Sequence, residues 1–535
     1  MLSFEPLTPT AFLERSAGVF ADRVAVVDGD HRFTYEELRD RSRRLAGALH
    51  AELGLQPGER VAVLAPNTHL LLEAHYGVPF SGCVLVALNV RLSAPELAQI
   101  LSHSEARVLL CDSDLGELGA EAIRLARSPA RIVVGGPDSD EYEQLVAGAH
   151  PYAAPVADER ALLALNYTSG TTGEPKGVMY HHRGAYLQAL SQVIHADLSA
   201  SSRFLWTLPM FHCNGWCFTW AVTAAGGTHH CLRKVEPTEI WPALRNDGIT
   251  HFNAAPTVLS MIAWHPAAEP LPPSRAVRVG TGGAPPSPAL LERMAALNMD
   301  VTHLYGLTET FGPAVVCEWR PEWDDLPLSE QATLKARQGV NNVIGTSVRV
   351  LDSDGVDVAR DGQTMGEVAL RGNNVMLGYY RDDAATRRAV PDGWFRTGDL
   401  AVHHPDGYVE LRDRSKDIII SGGENIASIE VEQALASHRA VLEAAVVAAP
   451  DETWGEVPIA FVTLQPDQSV TGSELQAHVR ERLAHFKAPR QVHFTDLPKT
   501  STGKIRKHVL REWAVSAPED VHDQGSEAES READR

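Results

Sequence analysis

The chain runs to 535 residues, 44% hydrophobic and 22% charged, with a formal net charge of -21. That length calls for more than one hydrophobic core, and that composition excludes a disordered or fibrous protein. The negative charge excludes a general affinity for nucleic acid or anionic membrane, so an anionic ligand must meet a local positive site.

In chain order, the opening MLSFEPLTPTAFLERSAGVF carries Glu5, Pro6, Pro9, Glu14 and Arg15, which break any apolar segment of signal-peptide type. No uncharged apolar run reaches the roughly 18 residues of a membrane-spanning helix, so a cytoplasmic protein without an integral membrane segment is expected. Next, Thr34 and Glu37 have capping-box spacing, and Leu38, Leu45, Leu49 and Leu53 follow at helical spacing, which predicts a helix. The apolar runs RVAVLA, CVLVALN and ARVLLCD alternate with the helical patterns LLLEAHYGV and APELAQILSHS. This alternation predicts an α/β architecture of mostly parallel strands covered on both faces. The expected organisation is a large N-terminal domain of layered sheets and helices over residues 1–412, a hinge over 413–416 and a smaller α+β domain over 417–514. In the smaller domain SIEVEQALASH and GSELQAHVRERLAHF read as helices, and LEAAVVAAP and PIAFVTLQP as strands. Residues 515–535 are acidic and lack aromatics, and a disordered tail is expected.

The strongest chemical signal is Tyr167-Thr168-Ser169-Gly170-Thr171-Thr172-Gly173-Glu174-Pro175-Lys176-Gly177, set between the strand-like runs ALLALN and VMY. Glycines let backbone N–H groups approach oxygen, the hydroxyls donate, and Lys176 supplies a cation, so the loop is equipped to hold phosphate. Pro175 before the lysine and Gly177 after it distinguish it from the Gly-Lys-Ser/Thr loop that opens a helix.

This loop resembles the signature of the adenylate-forming superfamily, which includes acyl-CoA synthetases, peptide-synthetase adenylation domains and luciferases. Other segments resemble its remaining signatures, in order: Gly282-Gly283-Ala284-Pro285-Pro286, Tyr305-Gly306-Leu307-Thr308-Glu309-Thr310, Thr397-Gly398-Asp399-Leu400, Asp413-Arg414-Ser415-Lys416-Asp417, Ser421-Gly422-Gly423-Glu424-Asn425 and Pro498-Lys499-Thr500-Ser501-Thr502-Gly503-Lys504. The resemblance implies an adenylate-forming fold with a mobile C-terminal lid, and ATP, Mg2+ and CoA as cofactor and co-substrates. It implies an acid–CoA ligase: acid and ATP give acyl-AMP and pyrophosphate, the small domain rotates, and CoA then gives acyl-CoA and AMP.

The resemblance also carries roles onto matching positions. ATP and AMP contacts are implied for Thr168, Ser169, Gly170, Thr171, Thr172, Gly173 and Lys176, for Gly282, Gly283, Ala284 and Pro285, and for Tyr305, Gly306 and Thr308. Tyr305 would stack on adenine, Asp399 would accept the ribose hydroxyls, and Arg414 would brace the sugar. Thr308 would meet the α-phosphate, and Glu309 with Thr168 would ligate magnesium, a hard ion suited to hard oxygen donors. Lys504 would bridge the substrate carboxylate and α-phosphate, Lys416 would be the pivot, and Gly422, Gly423 and Glu424 would line the CoA tunnel. Cations are needed because carboxylate attack gathers negative charge at the α-phosphate.

Trp206-Thr207-Leu208-Pro209-Met210-Phe211-His212-Cys213-Asn214-Gly215-Trp216 resembles the family's aromatic segment, with His212 as gate or orienting group and an acyl pocket from His212, Trp216, Thr257, Gly306 and Thr310. No acidic residue near Phe211 to Cys217 is placed to grip an ammonium group, which favours a neutral acyl tail. This segment and YHHRGAYL look most like ligases for medium-chain fatty acids or methylmercaptopropionate, so a short to medium aliphatic, thioether-containing or aryl acid is expected, with a role in fatty acid metabolism. His181-His182 and His229-His230 border strands and are expected to pack or cap. The six cysteines, Cys83, Cys111, Cys213, Cys217, Cys231 and Cys317, are too sparse for a disulfide scaffold and fit reduced thiols. A competing reading, transfer to a carrier protein's phosphopantetheine, shares every motif. The absence of a fused carrier domain after Lys504 favours free CoA, and Lys487 and Arg490 are candidates to meet its phosphates. Symmetric dimers are common among soluble oligomers, so a homodimer is a candidate state, but no self-complementary surface is legible.

Overall fold

The computed structural model describes residues 3–169, 175–345, 348–414, 416–422, 424–451, 453–465, 468–500 and 504–516. The chain packs as two compact units, one of residues 1–349, 369–397 and 405–409, the other of 350–368, 398–404 and the chain from 410 onward. It passes between them within the strands Arg349–Leu351, Met365–Leu370, Phe395–His403 and Val409–Arg414.

The alternating runs of the first unit become two sheets. One has, in spatial order and among the described residues, the strands Arg131–Gly135, Val108–Asp112, Arg60–Leu64, Val84–Ala87, Leu162–Ser169 and Pro175–His181. Neighbours are parallel except the last pair, an antiparallel hairpin. Strand periodicity explains why these runs are apolar throughout: Val61 and Val63 join Leu71 in one core, while Ala62 and Leu64 join Leu97 and Leu101 in another. The second sheet runs Val340–Asn341, Gly312–Val316, Met299–Leu307, Val277–Thr281, His251–Ala254, Arg203–Leu205, Thr228–His230, Val24–Asp28, His31–Thr34. Its middle is parallel and its two ends are antiparallel.

The predicted helix after Thr34 is present over Tyr35–Gly47, with both bonds of the capping box: the Glu37 amide donates to the Thr34 hydroxyl at 3.2 Å, and the Thr34 amide to the Glu37 carboxylate at 2.7 Å. Such a cap is worth about 1 kcal/mol. The regular winding stops earlier than the leucine spacing predicts. Ala48–Glu52 is a π turn, because the Leu53 amide donates to the Ala48 carbonyl, five residues back.

A buried charge cluster ties this helix to its neighbours. Glu73 has no exposed surface and accepts from Arg41 at 2.5 Å and from the Tyr142 hydroxyl at 2.7 Å. Arg41 also holds Glu143 at 2.9 Å, and Glu143 and Asp28 clasp the His69 ring at 3.2 and 2.6 Å. Burial opposes charge on His69, but the hydrogen bonds its ring donates to the Asp28 and Glu143 carboxylates more than offset it and raise its pKa to about 10. A histidine whose folded pKa lies above its unfolded value stabilises fully below the unfolded value, and that stability is lost as pH rises through the folded one. The melting temperature is therefore expected to fall between about pH 6.5 and 10, and His69→Gln should flatten that decline in a pH-resolved melting series.

In the second unit the strands Glu424–Ile426, Ile419–Ser421, Gly455–Leu464 and Val441–Asp451 lie side by side, with Gln491–Phe494 parallel to Gly455–Leu464. One face, with Val446 and Val462, is covered by Val431 and Leu435 of Ser428–Ala436 and by Leu475 and Val479 of Gly472–Arg480. The other, with Ala445 and Val447, receives Leu510 of Lys507–Ser516. Of the acidic tail expected over 515–535, Val515 and Ser516 instead end the helix Lys507–Ser516, and the rest lies outside the described residues. Among the described residues no helix is long and apolar enough to cross a membrane.

Candidate active site

The hairpin of Leu162–Ser169 and Pro175–His181 puts Thr168 directly opposite Lys176, so hydroxyl and ammonium stem from one face of the ribbon. Gly170, Thr171, Thr172 and Gly173 lie outside the described residues, as does Glu174. Residues 377–380 run beside this hairpin: the Met179 amide donates to the Gly378 carbonyl and the Tyr380 amide to that of Gly177. This brings the Tyr379 ring under Lys176, with the ammonium 5.1 Å from its centroid. The Tyr379 hydroxyl donates to Glu309 Oε1 at 2.8 Å. Burial and the Glu309 carboxylate hold that phenol well above its ordinary pKa, so it stays a donor.

Glu309 sits in the short turn Thr308–Thr310 that follows the strand Met299–Leu307. The turn is held from several sides. Tyr180 donates to the Thr308 carbonyl at 2.5 Å, and its ring stacks 3.8 Å from Phe311. Thr310 is wholly buried, and its hydroxyl donates to the Gly312 carbonyl at 2.7 Å and accepts from the Leu307 amide at 2.9 Å, so it shapes the turn. Gly306 must be glycine: a Cβ there would lie 1.9 Å from the Gly312 carbonyl oxygen. Glu309 and Thr168 offer one carboxylate and one hydroxyl. These hard oxygens suit an Mg2+ shared with phosphate rather than an all-protein cage, and no cluster of three metal-ligating side chains occurs among the described residues. Removing the Tyr379 hydroxyl takes away a hydrogen bond to a charged group, so Tyr379→Phe should lower kcat/KM for ATP about tenfold in pyrophosphate exchange.

The other expected residues of this unit surround the same strand ends. Gly282 follows the strand Val277–Thr281, where a Cβ would stand 2.5 Å from the Leu304 carbonyl and 3.2 Å from the Trp216 ring. Gly283 and Ala284 are exposed, Pro285 is half-buried, and Tyr305 is nearly buried. Thr257 lies in the first turn of Pro256–Ala263. His212 precedes a tight turn, its Nε2 3.8 Å from Cys213 Sγ, which in turn reaches Thr308 Oγ1 at 3.5 Å.

In the second unit Asp399 is buried and pairs with Arg414, Nε to Oδ1 at 3.1 Å. The buried Asp413 carboxylate accepts from the Arg414 and Ser428 amides, at 2.7 and 2.5 Å, capping the helix that begins at Ser428. Lys416 and Glu424 are exposed. Gly422 has φ 60°, donates to the Trp454 carbonyl at 2.8 Å, and leaves no room for a Cβ beside the Trp454 ring; Gly423 lies outside the described residues. The Lys504 amide donates to Thr500 Oγ1 at 3.0 Å, and Ser501, Thr502 and Gly503 lie outside the described residues. Lys487 is held by Glu430 at 2.6 Å.

The paired histidines pack and cap as their strand-edge positions predict. His181 Nδ1 accepts from the Gly184 amide at 2.7 Å, His182 meets Thr8 Oγ1 at 2.9 Å, and His229 lies between Trp206 and Thr223. Burial lowers the pKa of His181, His182 and His230 to about 4 and of His229 to about 3, leaving them neutral. Tyr379 and Tyr180 escaped the reading of the sequence; their only signal is the pairing of polar aromatics with apolar runs, NVMLGYY and VMYHH, which core tyrosines share.

The hairpin thus sets a lysine opposite a hydroxyl, beside a carboxylate that accepts from a tyrosine. The AMP-binding enzyme family matches residues 13–380, and the AMP-binding enzyme C-terminal domain matches residues 430–504. The chain belongs to the AMP-binding enzymes. It is an AMP-forming acid–thiol ligase. It is 45% identical over 539 residues to a peroxisomal acetate/butyrate–CoA ligase of Arabidopsis thaliana, with 95% of each chain covered. It is 44% identical to a 2-methylpropanoate–CoA ligase of Humulus lupulus, with 96% of each covered. The solved anthranilate CoA ligase AuaEII, in complex with anthranoyl-AMP, superposes with a TM-score of 0.87 at 26% identity, covering 96% of this chain and 98% of that one. The adenylate-forming fold expected from the motifs is thus the fold of this ligase.

Proposed function

We propose that this ligase joins a short aliphatic or aryl carboxylic acid to coenzyme A. The reading is carried by the segment 211–217, which has no acidic residue, lysine or arginine and sets Trp216 against Gly282 and Gly312, which suits a neutral acyl group. It is supported by relatives named for acetate or butyrate and for 2-methylpropanoate, and by a structural neighbour holding anthranoyl-AMP. These acids are shorter than the medium-chain class, which moves the expected acid toward the short end.

In the first half-reaction a substrate carboxylate oxygen attacks the α-phosphorus, and the bond to the β-phosphate oxygen breaks to release pyrophosphate. Lys176, Thr168 and Thr308 hold the phosphates, and Lys504 draws carboxylate and α-phosphate together. Glu309 and Thr168 would hold a Mg2+, which would supply neutralisation of phosphate charge. Asp399 and Arg414 grip the ribose, while Tyr305 and the turn 282–285 enclose adenine. In the second half-reaction the thiol sulfur of CoA attacks the acyl carbon, AMP leaves, and the thiol proton passes to solvent. We infer that residues 417–514 act as a lid that turns about 413–416, with Lys416 as pivot, to bring Gly422, Gly423 and Glu424 to the thiol's path. We place the protein in the cytosol: none of its six cysteines is joined in a disulfide among the described residues, which fits a reducing compartment.

The test is AMP release over a panel of acids, from acetate to medium-chain and from aliphatic to aryl, with and without CoA. CoA-dependent release highest with acids of about two to six carbons or benzoate-like rings is expected. Acid-dependent pyrophosphate exchange indifferent to CoA would point to a carrier-protein acceptor.

A further inference from the structure

Five consecutive residues in the acyl segment have left-handed backbone: Cys213 (φ 47°), Asn214 (46°), Gly215 (60°), Trp216 (53°) and Cys217 (65°). Four of them carry side chains, and such runs are avoided by L-residues because Cβ crowds the following carbonyl. A strained run persists only where its surroundings impose it, and such runs gather at working sites.

The restraint is a chain of three buried side chains. The Asn166 amide donates to Asn214 Oδ1 at 2.6 Å, and the Asn214 backbone N–H donates back to Asn166 Oδ1 at 3.1 Å. Asn214 Nδ2 lies 3.0 Å from His75 Nε2, and His75 Nδ1 lies 2.7 Å from the Leu71 carbonyl. Both ends of this chain are backbone groups of fixed sense. The Leu71 carbonyl can only accept, so Nδ1 carries the proton and Nε2 accepts from the Asn214 amide. The Asn214 N–H can only donate, so Asn166 is oriented by its oxygen. Burial depresses the His75 pKa to about 4, consistent with a neutral ring. His75 and Asn214 have no exposed surface and Asn166 has 2%. The Asn214 carbonyl is also used, accepting from Thr219 Oγ1 at 3.1 Å.

The turn joins both sides of the site. Upward it seats Trp216 against Gly282 and Gly312, and sideways it sets Cys213 Sγ 3.5 Å from Thr308 Oγ1. Below, Asn166 belongs to the strand that ends at Thr168 and Ser169, facing Lys176. We propose that Asn214 is a positioning residue: through Asn166 and His75 it locks the left-handed turn that holds His212 and Trp216 in register with the phosphate-binding strand, and so sets the affinity for the carboxylic acid. This rests on the acid-activation reading above.

The test compares Asn214→Gly and Asn214→Ala in acid-dependent pyrophosphate exchange, with active sites titrated. Glycine accepts φ near 46° and removes only the amide, whereas alanine removes the amide and keeps the strain. Both are expected to raise the acid KM at least tenfold, with the ATP KM within about threefold of wild type. The double variant Asn166→Ala/Asn214→Gly should be no worse than the more damaged single variant, as for members of one network. Wild-type kinetics for Asn214→Gly would overturn the proposal, leaving the residue a backbone element alone. Acid and ATP KM rising together, in step with a lower melting temperature, would overturn it in favour of general destabilisation. If Asn214→Gly does not fold, His75→Leu removes the same acceptor from the far side and is scored by the same split. Failure of the parent reading is distinct: wild-type protein would then release no AMP with any acid.

Discussion

Lys504→Ala is expected to lower acid-dependent pyrophosphate exchange about 10³-fold while leaving thioester formation from supplied acyl-AMP within about threefold of wild type. A single cation that meets charge developing at an α-phosphate acts in a site where water is displaced, and removing one such group costs two to three powers of ten. The adenylate already contains its activated acyl group, so the thiol step needs no such cation. The Thr500 amide donates to the Lys504 carbonyl at 2.6 Å, and the Lys504 amide donates to the threonine hydroxyl. Alanine keeps those backbone bonds, so the variant isolates the ammonium. Stopped-flow assay of CoA with synthetic acyl-AMP beside the exchange assay gives the two numbers. Equal loss in both would remove the two-conformation scheme, since one lysine would then serve both steps.

Glu309→Gln should reduce kcat/KM for ATP about 10²-fold and raise the Mg2+ concentration needed for half-maximal rate. Glutamine retains an oxygen for the Tyr379 hydroxyl, now 2.8 Å from Oε1, and a similar volume within the turn, so the change removes charge and little else. Comparison with the tenfold loss expected for Tyr379→Phe separates the carboxylate's own role from its support. If the glutamine variant behaved like wild type across a magnesium titration, Glu309 would be no more than the hydrogen-bond partner of Tyr379.

The second unit shows why some positions were readable and others were not. Val446 and Val447 sit next to each other in the sequence, yet enter opposite cores because successive strand residues point to opposite faces. That rule is local, so the strands could be read from their runs. The π turn at Ala48–Glu52 follows no local rule: leucine spacing is compatible with an α-helix to Leu53, and the last turn widens where the chain leaves toward the next strand. Asp413 is a comparable case. It stands in the expected hinge motif, but its use as the cap of the helix at Ser428 depends on a residue fifteen positions later.

The residue order alone determined the α/β architecture, the capping of the helix at Thr34 and the series of motifs that mark an AMP-forming ligase. Each depends on neighbours within a few residues, or on motif order along the chain, and both survive in a linear string. Tertiary structure alone decided that Tyr379 stands beneath Lys176 and holds Glu309, that Thr310 braces its turn, and that Asn166, Asn214 and His75 clamp a left-handed run over Cys213 to Cys217. Those contacts join strands, turns and a helix far apart in the chain, and a left-handed run of ordinary residues leaves no propensity signal, since it is imposed by the buried hydrogen bonds around it.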